Sequence, residues 1–522
     1  MNSLLPNWRG SKSDTAMKST PTYRNLGACL AGSLLFAATA LASGLHPIGS
    51  EKQFFFDDAI VETLEDTKLR LNVAEKLADN PVIKADRPWE GTDTRLSFVI
   101  FDEQLGKFRM RYSSGEFRSG GRNEKGEVIV LGEGDDLAKQ RVTCEAWSDD
   151  GIHWEKPNLG LVEFNGSKDN NILPPETIRG YFVQDLHESD PAKRYKGLTR
   201  KGSYSGYGMT FDLYYSPDGY AWTHYENNPI IDTGDQQGRW GPTDFAGWDP
   251  VRKTYVAYLE NNYHMHSKYL HRRSIARAES PDMINWSEPE TVIRTDDEDY
   301  PDTEFYHLPT LSYEGWTVGL LWIFSTTNTT HEPHFVFSRD GIRFDRRFRE
   351  PIIRRGDHGD FDSVSIYTGT PVVQGDNIFI YYTGTNWRSP EQLEALGEKA
   401  GAGIGLAILP RDGFVSLEGA RADYSVVTTR SFNFTGSKLH LNLRAALQQW
   451  GAEPCDVRVE ILDGRHTPVP GYGFDDADPI TATDLDHVVT WRGQSDVSAI
   501  EGQPVRLRIS FKNAKLYAFQ FR

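Results

Sequence analysis

Apolar and polar positions alternate along most of this chain, and one arrangement of them occurs five times. An apolar run is followed by a polar turn and a second apolar run, as in "FVIFDEQLGKFRMRYSSG". Alternation on both sides of such a turn predicts an antiparallel β-hairpin. The five predicted hairpins span residues 98–115, 181–202, 245–260, 309–324 and 369–384.

A second repeat, built on Asp and Gly, accompanies these hairpins. The phrase "SRDGIRF" at 338–344 also occurs, with changes, as "SDDGIHW", "SPDGYAW", "SPDMINW" and the weaker "PRDGFVS". Asp accepts local backbone hydrogen bonds and Gly tolerates positive φ, so each copy predicts the turn of an outer hairpin. The Asp residues of the five copies are separated by 68, 64, 58 and 72 positions; they are Asp150, Asp218, Asp282, Asp340 and Asp412.

Two hairpins per repeat make a four-stranded antiparallel sheet, and five such sheets bury their faces when they are arranged around one axis. The expected fold is therefore all-β, with a five-bladed β-propeller over residues 50–425. The segment 52–63 is expected to add a closing strand to the last blade. From 426 to 522, short alternating strands without the repeat predict a C-terminal β-sandwich. The predicted blades cover about 86–165, 171–235, 236–296, 298–355 and 357–425.

The first 42 residues have the pattern of a signal peptide. A short basic segment beginning at Met17 precedes the apolar run "LGACLAGSLLFAATALA", and Ala40-Leu41-Ala42 fits an A-x-A cleavage site. Met17 is an alternative start. The "LGAC" motif ending at Cys29 precedes the apolar run instead of closing it, which argues against lipidation. The chain is predicted to be exported to the periplasm or secreted, without a membrane anchor after cleavage.

Composition and charge narrow the function classes. The formal net charge of -17 argues against a nucleic-acid partner, because phosphate binding needs clustered Lys and Arg. The chain has no P-loop or dinucleotide-binding glycine motif, so no nucleotide cofactor is expected. After the signal only Cys144 and Cys455 remain, outside any zinc motif, and buried free thiols are expected. The acidic run 296–302 is a candidate structural calcium site, but its spacing favours a solvated loop.

Candidate catalytic residues lie just ahead of the first strand of each blade. In a propeller these strands begin at one end of the central channel, so such residues meet in a single funnel. Glycosidic cleavage needs one protonated acid and one ionised carboxylate, whose pKa values are separated by burial and mutual repulsion. We predict Asp93 as base or nucleophile, Glu304 as general acid and Asp244 as orienting and pKa-tuning partner. The alternatives are Glu90 for Asp93 and Asp302 for Glu304.

The same segments supply candidate substrate contacts. His307 is a candidate proton donor or hydroxyl ligand, with a structural histidine as the competing interpretation. Acids in the turns that follow the first strands are expected at the opposite end, in structural roles; they are Asp102, Asp249, Glu314 and Asp376. The candidate substrate-binding residues are Glu90, Arg95, Trp89, Arg179, Arg277, His307 and Asp362, with Trp240 and Tyr306 as further sugar-stacking candidates.

Several segments resemble a known family. They are "NPVIKADRPWEG" (80–91), "WDPVRKTYVAY" (248–258), "RSIARAESPDMINWSEPE" (273–290), "FYHLPTLSYEGWTVGLL" (305–321) and "GIGLAILPRDGFVSLEG" (403–419). From about residue 50 to its end, the chain resembles exported bacterial five-bladed β-propeller glycoside hydrolase-like proteins. That family is related to the invertase/fructosidase and arabinanase/xylosidase clans.

The resemblance implies acids on blades one, three and four, which are the positions of Asp93, Asp244 and Glu304. The chain departs from the better-known relatives because it lacks the "NDPNG" signature and a Glu-Cys pair, and has "WDP" where they have "RDP".

These patterns predict an exported glycoside hydrolase acting on a polysaccharide or an oligosaccharide. One alternative is a non-catalytic carbohydrate-binding propeller, in which the acids only hydrogen-bond hydroxyl groups. Another is a polysaccharide lyase, with His307 or a Tyr as base beside an Arg that neutralises a uronate. A related phosphorylase ranks lower, because export would release its sugar phosphate outside the cell.

Overall fold

The computed structural model of the chain describes residues 46–116, 118–131, 141–175, 182–201, 210–232, 243–264, 271–419, 423–445 and 454–522. Within these ranges the protein is nearly all-β, which confirms the expected fold class. Helix α1 (Pro390–Leu396) begins after Ser389, whose Oγ accepts a hydrogen bond from the Gln392 N–H. No helix in the described ranges is long and apolar enough to cross a membrane. The predicted signal peptide, residues 1–42, lies outside the described residues.

The strands of the N-terminal half lie ahead of the first repeat and within the first two repeats. The segment ahead of the first repeat contains β1 (His46–Gly49), β2 (Gln53–Phe54), β3 (Val61–Glu65), β4 (Thr67–Leu71) and β5 (Glu75–Lys76). The first repeat contains β6 (Asp93–Asp102), β7 (Lys107–Gly115), β8 (Arg118–Arg122), β9 (Val128–Leu131) and β10 (Arg141–Ser148). The second contains β11 (Phe182–Gln184), β12 (Tyr195–Lys201), β13 (Thr210–Ser216), β14 (Thr223–His224) and β15 (Ile231–Asp232).

The remaining strands complete the repeats and the C-terminal region. The third repeat contains β16 (Thr243–Asp249), β17 (Thr254–His264), β18 (His271–Ser280) and β19 (Glu290–Ile293). The fourth contains β20 (Thr303–Phe305), β21 (Thr310–Tyr313), β22 (Trp316–Ser325) and β23 (Thr330–Ser338). The fifth contains β24 (Ser365–Thr368), β25 (Val372–Gln374), β26 (Asn377–Thr385) and β27 (Ala402–Pro410). The C-terminal region contains β28 (Val415–Gly419), β29 (Ser425–Thr429), β30 (Phe432–Phe434), β31 (Leu439–Ala445), β32 (Asp456–Asp463), β33 (Asp484–Val488), β34 (Val505–Lys512) and β35 (Ala514–Phe521).

Each repeat folds as an antiparallel sheet. In the third repeat the strands lie in sequence order, β16-β17-β18-β19, and the second repeat has the order β11-β12-β13-β14. In the fourth and fifth repeats the first strand is interrupted: β20 and β21 both pair with β22, and β24 and β25 both pair with β26. The first and fifth repeats join in one eight-stranded sheet, where β6 and β27 run parallel at the pair Asp93 and Ala402.

The repeated Asp-Gly phrase forms a tight turn stabilised by its own side chains. In the first copy Ser148 donates to Asp150 (3.0 Å), and Asp150 Oδ1 accepts the N–H groups of Ile152 and His153. Gly151 has φ +76°, in the left-handed region that favours glycine. Met283 occupies the same position in the third copy with φ 63°, so the turn geometry persists where the glycine is replaced.

These turns also connect the sheets in a closed order. Tyr381 of the fifth repeat donates to the Gly151 carbonyl of the first (2.6 Å), and Arg109 of the first donates to the Asp218 carbonyl of the second (2.9 Å). Met283 of the third packs on apolar side chains of the second, including Leu198 and Leu213. Tyr258 of the third donates to the Gly341 carbonyl of the fourth (2.7 Å), and Tyr313 of the fourth donates to Asp412 in the outer turn of the fifth. Each repeat therefore contacts the next one, and the last contacts the first.

One cavity lies where the first strands of the repeats converge. Its volume is about 590 Å³, and every repeat contributes to its wall. Representative lining residues, one from each repeat, are Phe98, Val183, Trp248, Leu311 and Val373.

The C-terminal region contains two six-stranded sheets that share a hydrophobic core. One has the order β1-β30-β34-β29-β3 with β32 paired to β34, and the other has the order β33-β31-β35-β28-β4 with β2 paired to β35. Buried side chains of both sheets pack together, among them Ile461, Leu507, Leu441 and Leu516. Cys455 belongs to this core, whereas Cys144 lies in the first repeat; both are buried free thiols.

The expectation that residues 52–63 add a strand to the last blade is wrong. β2 pairs with β35 and β3 pairs with β29, so this segment completes the two C-terminal sheets. The strand that pairs with β27 of the fifth repeat is β5, further along the chain. The reason lies in the run Phe54-Phe55-Phe56: Phe55 is buried in the C-terminal core, while Phe54 and Phe56 are buried in the core of the repeats. The segment joins two cores, a role that its alternation alone does not reveal.

Candidate active site

The predicted acids occupy equivalent places in three repeats. Asp93 is the first residue of β6, Asp244 the second of β16 and Glu304 the second of β20. The later residues of β6 and β16 line the central cavity, so the acids stand at the other ends of these strands. The side chain of Asp244 lies outside what the structure describes, and only its backbone pairing with Tyr258 is given. Asp93 and Glu304 are therefore the two predicted acids whose contacts define the site.

Asp93 is fully buried between two arginines. Arg95 donates from Nε to Oδ1 (2.7 Å) and from Nη2 to Oδ2 (3.0 Å), and Arg141 Nη1 lies 2.6 Å from Oδ1. Arg141 also donates to the Asp93 backbone carbonyl (2.9 Å). Burial alone would raise the pKa of Asp93, but the two guanidinium charges outweigh it and the pKa is lowered. Asp93 is thus held as a carboxylate whose oxygens both accept hydrogen bonds from arginine.

Glu304 shares an arginine with a second glutamate that the sequence analysis did not single out. Arg273 Nη1 donates to Glu304 Oε2 (2.5 Å), and Arg273 Nε donates to Glu260 Oε1 (3.0 Å). The three residues come from β20, β18 and β17, three strands of two adjacent repeats. The two carboxyl groups are each about one-seventh exposed, at 14% for Glu304 and 13% for Glu260. Two carboxyl groups with one guanidinium in a partly desolvated site favour retention of one proton.

The electrostatics assign that proton to Glu260. Burial is the largest effect and raises the pKa of Glu260; the nearby charge of Glu304 raises it further. Arg273 and His307 act in the opposite direction, but the net pKa of Glu260 remains above its ordinary value. His307 itself packs against Trp322, with ring centroids 4.6 Å apart. A carboxyl group whose pKa is raised keeps its proton to higher pH, so Glu260 is the better suited of the described acids to donate one.

A wall of aromatic rings extends from Arg273 towards Arg95. The Arg273 guanidinium lies 4.5 Å from the Tyr306 ring, and His331 contacts the rings of Tyr306 (4.8 Å) and Tyr367 (4.6 Å). Tyr367 in turn interacts electrostatically with Arg95. Desolvation, with the charges of His307 and Arg273, lowers the pKa of His331 to about 3. His331 is therefore neutral, and its buried Nε2 has no hydrogen-bond partner within the described chain.

Glu90 and Trp89 are fixed by protein contacts. Glu90 accepts from Tyr112 (2.6 Å) and Lys156 (2.6 Å), and from the backbone N–H groups of Asp86 and Arg87. Trp89 donates to Asn171 (2.9 Å) and packs on Phe164. These contacts favour a structural role for both, in the loop that leads into β6.

Arg277 and Asp362 are also buried, away from the Glu260 and Glu304 pair. Arg277 bonds Glu279 on its own strand, beside the outer turn at Gly341. Asp362 accepts from Lys76 (2.5 Å) and Tyr382 (2.8 Å), which ties the fifth repeat to β5. Arg179 and Trp240 lie outside the described residues.

The alternative acid Asp302 is held in a turn. It accepts from Ser325 (2.6 Å), and this hydrogen bond lowers its pKa, so Asp302 is a poor proton donor. Of the acids expected at the opposite end, Asp102 accepts from Tyr195 (2.6 Å) and Asp249 from the Val251 N–H (2.9 Å). These contacts favour structural roles for Asp102 and Asp249.

The acidic run 296–302 is neutralised by arginines. Arg346 Nη2 lies 2.6 Å from Asp299, and Arg349 Nη2 lies 2.7 Å from Asp296. Among the residues whose positions are described, no group of three His, Cys, Asp or Glu side chains is arranged to hold a metal ion. The two aspartates therefore bind guanidinium groups of the fourth repeat.

No family model and no curated protein matches this chain. Among solved structures, a glycosyl hydrolase from Bacteroides ovatus is 15% identical with a TM-score of 0.39, over 65% of this chain and 97% of that one. A β-1,2-mannobiose phosphorylase from Listeria innocua is 12% identical (TM-score 0.41; 65% and 97% covered). A GH32 β-fructofuranosidase from Bombyx mori is 12% identical (TM-score 0.40; 94% and 98%). These neighbours are glycoside hydrolases and related carbohydrate-active enzymes, at identities too low to transfer any site residue.

Glu260 and Arg273 are the residues that sequence reasoning missed. Both lie inside long strands, β17 and β18, whereas the acids predicted from the sequence lie at or near the start of the first strand of each repeat. Their signal in the sequence is weak: a charged residue at the end of the apolar run "TYVAYLE", and the second of two arginines in "HRRSIARA". Only the pairing of β17 with β18, and the proximity of β20, brings them to Glu304.

Proposed function

We propose that the five repeats form a five-bladed β-propeller, with blades at about 86–165, 171–235, 236–296, 298–355 and 357–425. Support comes from the closed order of contacts between repeats and from the cavity that all five line. Residues 426–522 form the proposed β-sandwich together with β1 to β4 and β28. Although β28 lies within the range 357–425, its pairing with β4 and β35 places it in the C-terminal sheets and not in the fifth blade. The pattern of residues 1–42 supports export to the periplasm or secretion.

We propose that this protein is an exported glycoside hydrolase. The observation that carries the proposal is the Glu260, Arg273 and Glu304 group, two partly exposed carboxyl groups on one guanidinium. Glycosidic cleavage needs one carboxylic acid and one carboxylate at the scissile bond. The group supplies both, and the reaction requires no metal or nucleotide.

In the proposed mechanism Glu260 is the general acid. Its proton passes to the glycosidic oxygen as the bond between that oxygen and the anomeric carbon breaks, and the leaving sugar departs as an alcohol. Glu304, whose carboxyl group is oriented by Arg273, acts on the anomeric carbon directly or through a water molecule. This assignment moves the acid from Glu304, the prediction from sequence, to Glu260, because the pKa of Glu260 is raised. Asp244 remains the proposed orienting partner.

Asp93 has a different role in the proposal. A base or nucleophile needs an oxygen that reaches the substrate, and Asp93 is fully buried with both oxygens bonded by arginines. We propose that it positions Arg95, which remains partly exposed. Tyr306 and Tyr367, which are partly exposed, supply aromatic faces of the kind that stack on sugar rings, and the buried His331 packs between them.

The test is product analysis on labelled polysaccharides, oligosaccharides and aryl glycosides, with wild type, Glu260→Gln and Glu304→Gln. Release of reducing sugar by wild type, lost in both variants, is the expected result. Glu290→Gln, an exposed acid on β19, is the matched control and should retain full turnover. An unsaturated product that absorbs in the ultraviolet would identify a lyase. Glycan binding without turnover on every substrate would identify a carbohydrate-binding propeller, and either result overturns the hydrolase.

A further inference from the structure

The loop ahead of β20 carries an aromatic side chain that stands in solvent. Tyr300 is 79% exposed, the largest exposed fraction of any large hydrophobic side chain in the ranges that the structure describes. Exposed hydrophobic side chains scattered singly need no explanation, so it is the place of Tyr300 that matters. β20 begins three residues later, and Glu304, one of the two carboxyl groups of the candidate site, is its second residue.

The loop holds the backbone of Tyr300 in a fixed position. Its two neighbours are bonded to other parts of the chain: Asp299 lies 2.6 Å from Arg346, and the Pro301 carbonyl accepts a hydrogen bond from Arg272 (2.6 Å). Because both neighbours are anchored, covering the ring of Tyr300 with a ligand restricts only its two side-chain torsions. An aromatic ring on such a backbone is organised in advance for contact with a ligand.

Tyr300 lies close to the reacting carboxyl groups. The Thr303 N–H donates to the Tyr300 carbonyl (3.0 Å), so their two α-carbons are within about 7 Å of each other, and that of Glu304 is at most about 11 Å from that of Tyr300. Arg272, which holds the loop, is followed in β18 by Arg273, which bonds Glu304. The loop and the candidate site therefore share the starts of β18 and β20, and Tyr300 lies one or two sugar units from Glu304.

A tyrosine ring offers a flat apolar face, and the C–H groups of a sugar ring stack on such faces. We propose that Tyr300 is a stacking platform for a sugar one or two units from the scissile bond, and that the substrate is an oligosaccharide or polysaccharide and not a single glycosylated group. This inference rests on the proposed hydrolase function. A stacked aromatic pair contributes about 0.5–1.5 kcal/mol, and the same range for Tyr300 corresponds to roughly 2- to 12-fold in binding.

The experiment measures how kcat/KM depends on the length of the substrate. The probes are oligosaccharides of increasing length with the linkage that the wild-type protein cleaves, and the aryl glycoside of the same sugar. In the wild-type protein we expect kcat/KM to rise when the chain becomes long enough to cover Tyr300. In Tyr300→Ala the ratio of kcat/KM for the longest oligosaccharide to that for the aryl glycoside should fall by roughly 2- to 12-fold. The loss should appear in KM, because stacking binds the ground state and the transition state alike.

Two further variants separate stacking from other effects of substitution. Tyr300→Phe keeps the ring face and should retain the ratio. Tyr424→Ala removes a second exposed tyrosine, 44% exposed and in the C-terminal region, and should leave the ratio as in the wild-type protein. A ratio lost in Tyr300→Phe would assign the effect to the hydroxyl group, and a ratio unchanged in Tyr300→Ala would remove Tyr300 from the binding surface. Either result overturns the platform and leaves the hydrolase intact.

Binding tests the platform even without turnover. If no substrate is cleaved, the oligosaccharides of the product-analysis panel are titrated into the wild-type protein and Tyr300→Ala, and the equilibrium constants are compared. Binding weakened by roughly 2- to 12-fold in Tyr300→Ala would support the platform and sink only the hydrolase. Equal binding by the two proteins, or no binding by either, would overturn the platform as well.

Discussion

The candidate site contains two groups of carboxylates and arginines whose pKa shifts have opposite directions. One is Asp93 with its two arginines, and the other is Glu260 and Glu304 with Arg273. Around Asp93, one carboxyl group faces two guanidinium groups, and its pKa is lowered although it is fully buried. Around Arg273, two carboxyl groups face one guanidinium, and the pKa of Glu260 is raised although it is less buried. Burial raises the pKa in both groups: at Asp93 two guanidinium charges outweigh it, whereas at Glu260 burial, with the charge of Glu304, outweighs Arg273 and His307. One group holds Asp93 as a carboxylate, and the other provides an exchangeable proton at Glu260.

The largest expected effect on kcat comes from replacing Glu260, because the variant lacks the exchangeable proton. Glu260→Gln should reduce kcat by about 10²- to 10⁴-fold on natural glycosidic linkages, the usual contribution of a general acid. On aryl glycosides with acidic leaving groups the loss should be much smaller, because such groups depart without protonation. The measurement is kcat across a series of leaving groups. An equal loss on every leaving group would contradict the acid role of Glu260.

Removing the carboxylate of Asp93 should destabilise the protein. Asp93→Asn leaves Arg95 and Arg141 without their shared anion, at a cost of about 3–5 kcal/mol in the free energy of unfolding. Because the pKa of Asp93 is lowered in the folded state, this stabilisation is present above the unfolded pKa of about 3.9 and is lost as pH falls below it. Denaturant unfolding of both proteins between pH 3 and pH 7 measures it.

A matched control for this prediction is Asp149→Asn, which removes an exposed carboxylate 2.8 Å from Lys107. Because solvent screens this exposed pair, Asp149→Asn should leave the free energy of unfolding nearly unchanged. If Asp93→Asn is no more destabilising than Asp149→Asn, then Asp93 is not the anchor of the two arginines.

Replacing the shared arginine should change the pH dependence as well as the rate. Arg273→Met removes the positive charge that opposes the raised pKa of Glu260, so that pKa should rise further. Since Glu260 acts in its protonated form, the alkaline limb of the kcat/KM profile should move to higher pH, while kcat falls by roughly 10- to 100-fold. Arg343→Met, at an exposed outer turn, is the control and should change neither. A limb that moves to lower pH would refute the assignment.

The smallest effect on kcat/KM is expected from replacing His331, which lies between the Asp93 group and the Arg273 group. Its pKa of about 3 means that the ring is neutral throughout the working pH range. His331→Phe keeps an aromatic ring against Tyr306 and Tyr367, so kcat/KM should change by only a few-fold and the limbs of its pH profile should stay in place. A shifted limb would show that His331 titrates in the reaction and would add it to the proton-transfer groups.

Much of the fold was predictable because its signals are local. The alternating runs predict the paired strands of the repeats, and the Ser-x-Asp-Gly phrase predicts the turns that Ser148 and Asp150 form. The segment 52–63 was misplaced because its alternation fits either the fifth repeat or the C-terminal sheets. The strands with which it pairs are determined by packing against two separate hydrophobic cores. One core buries Phe55, and the other buries Phe54 and Phe56. Such a choice depends on residues far along the chain, such as Trp316 against Phe56 and Phe519 against Phe55.

The candidate site, like the fold, could be predicted from the sequence only in part. By itself the sequence determined an all-β chain of five repeats and placed Asp93, Asp244 and Glu304 at the starts of first strands, because period-two alternation and Asp-Gly turns act over a few residues. Only the tertiary structure decided which charges meet. It gave Asp93 two arginines, one of them 48 positions away, and it put Glu260 and Glu304 on one arginine between neighbouring sheets. The protonation of a carboxyl group follows the sum of the charges and the desolvation around it, and that sum exists only once the strands have packed together.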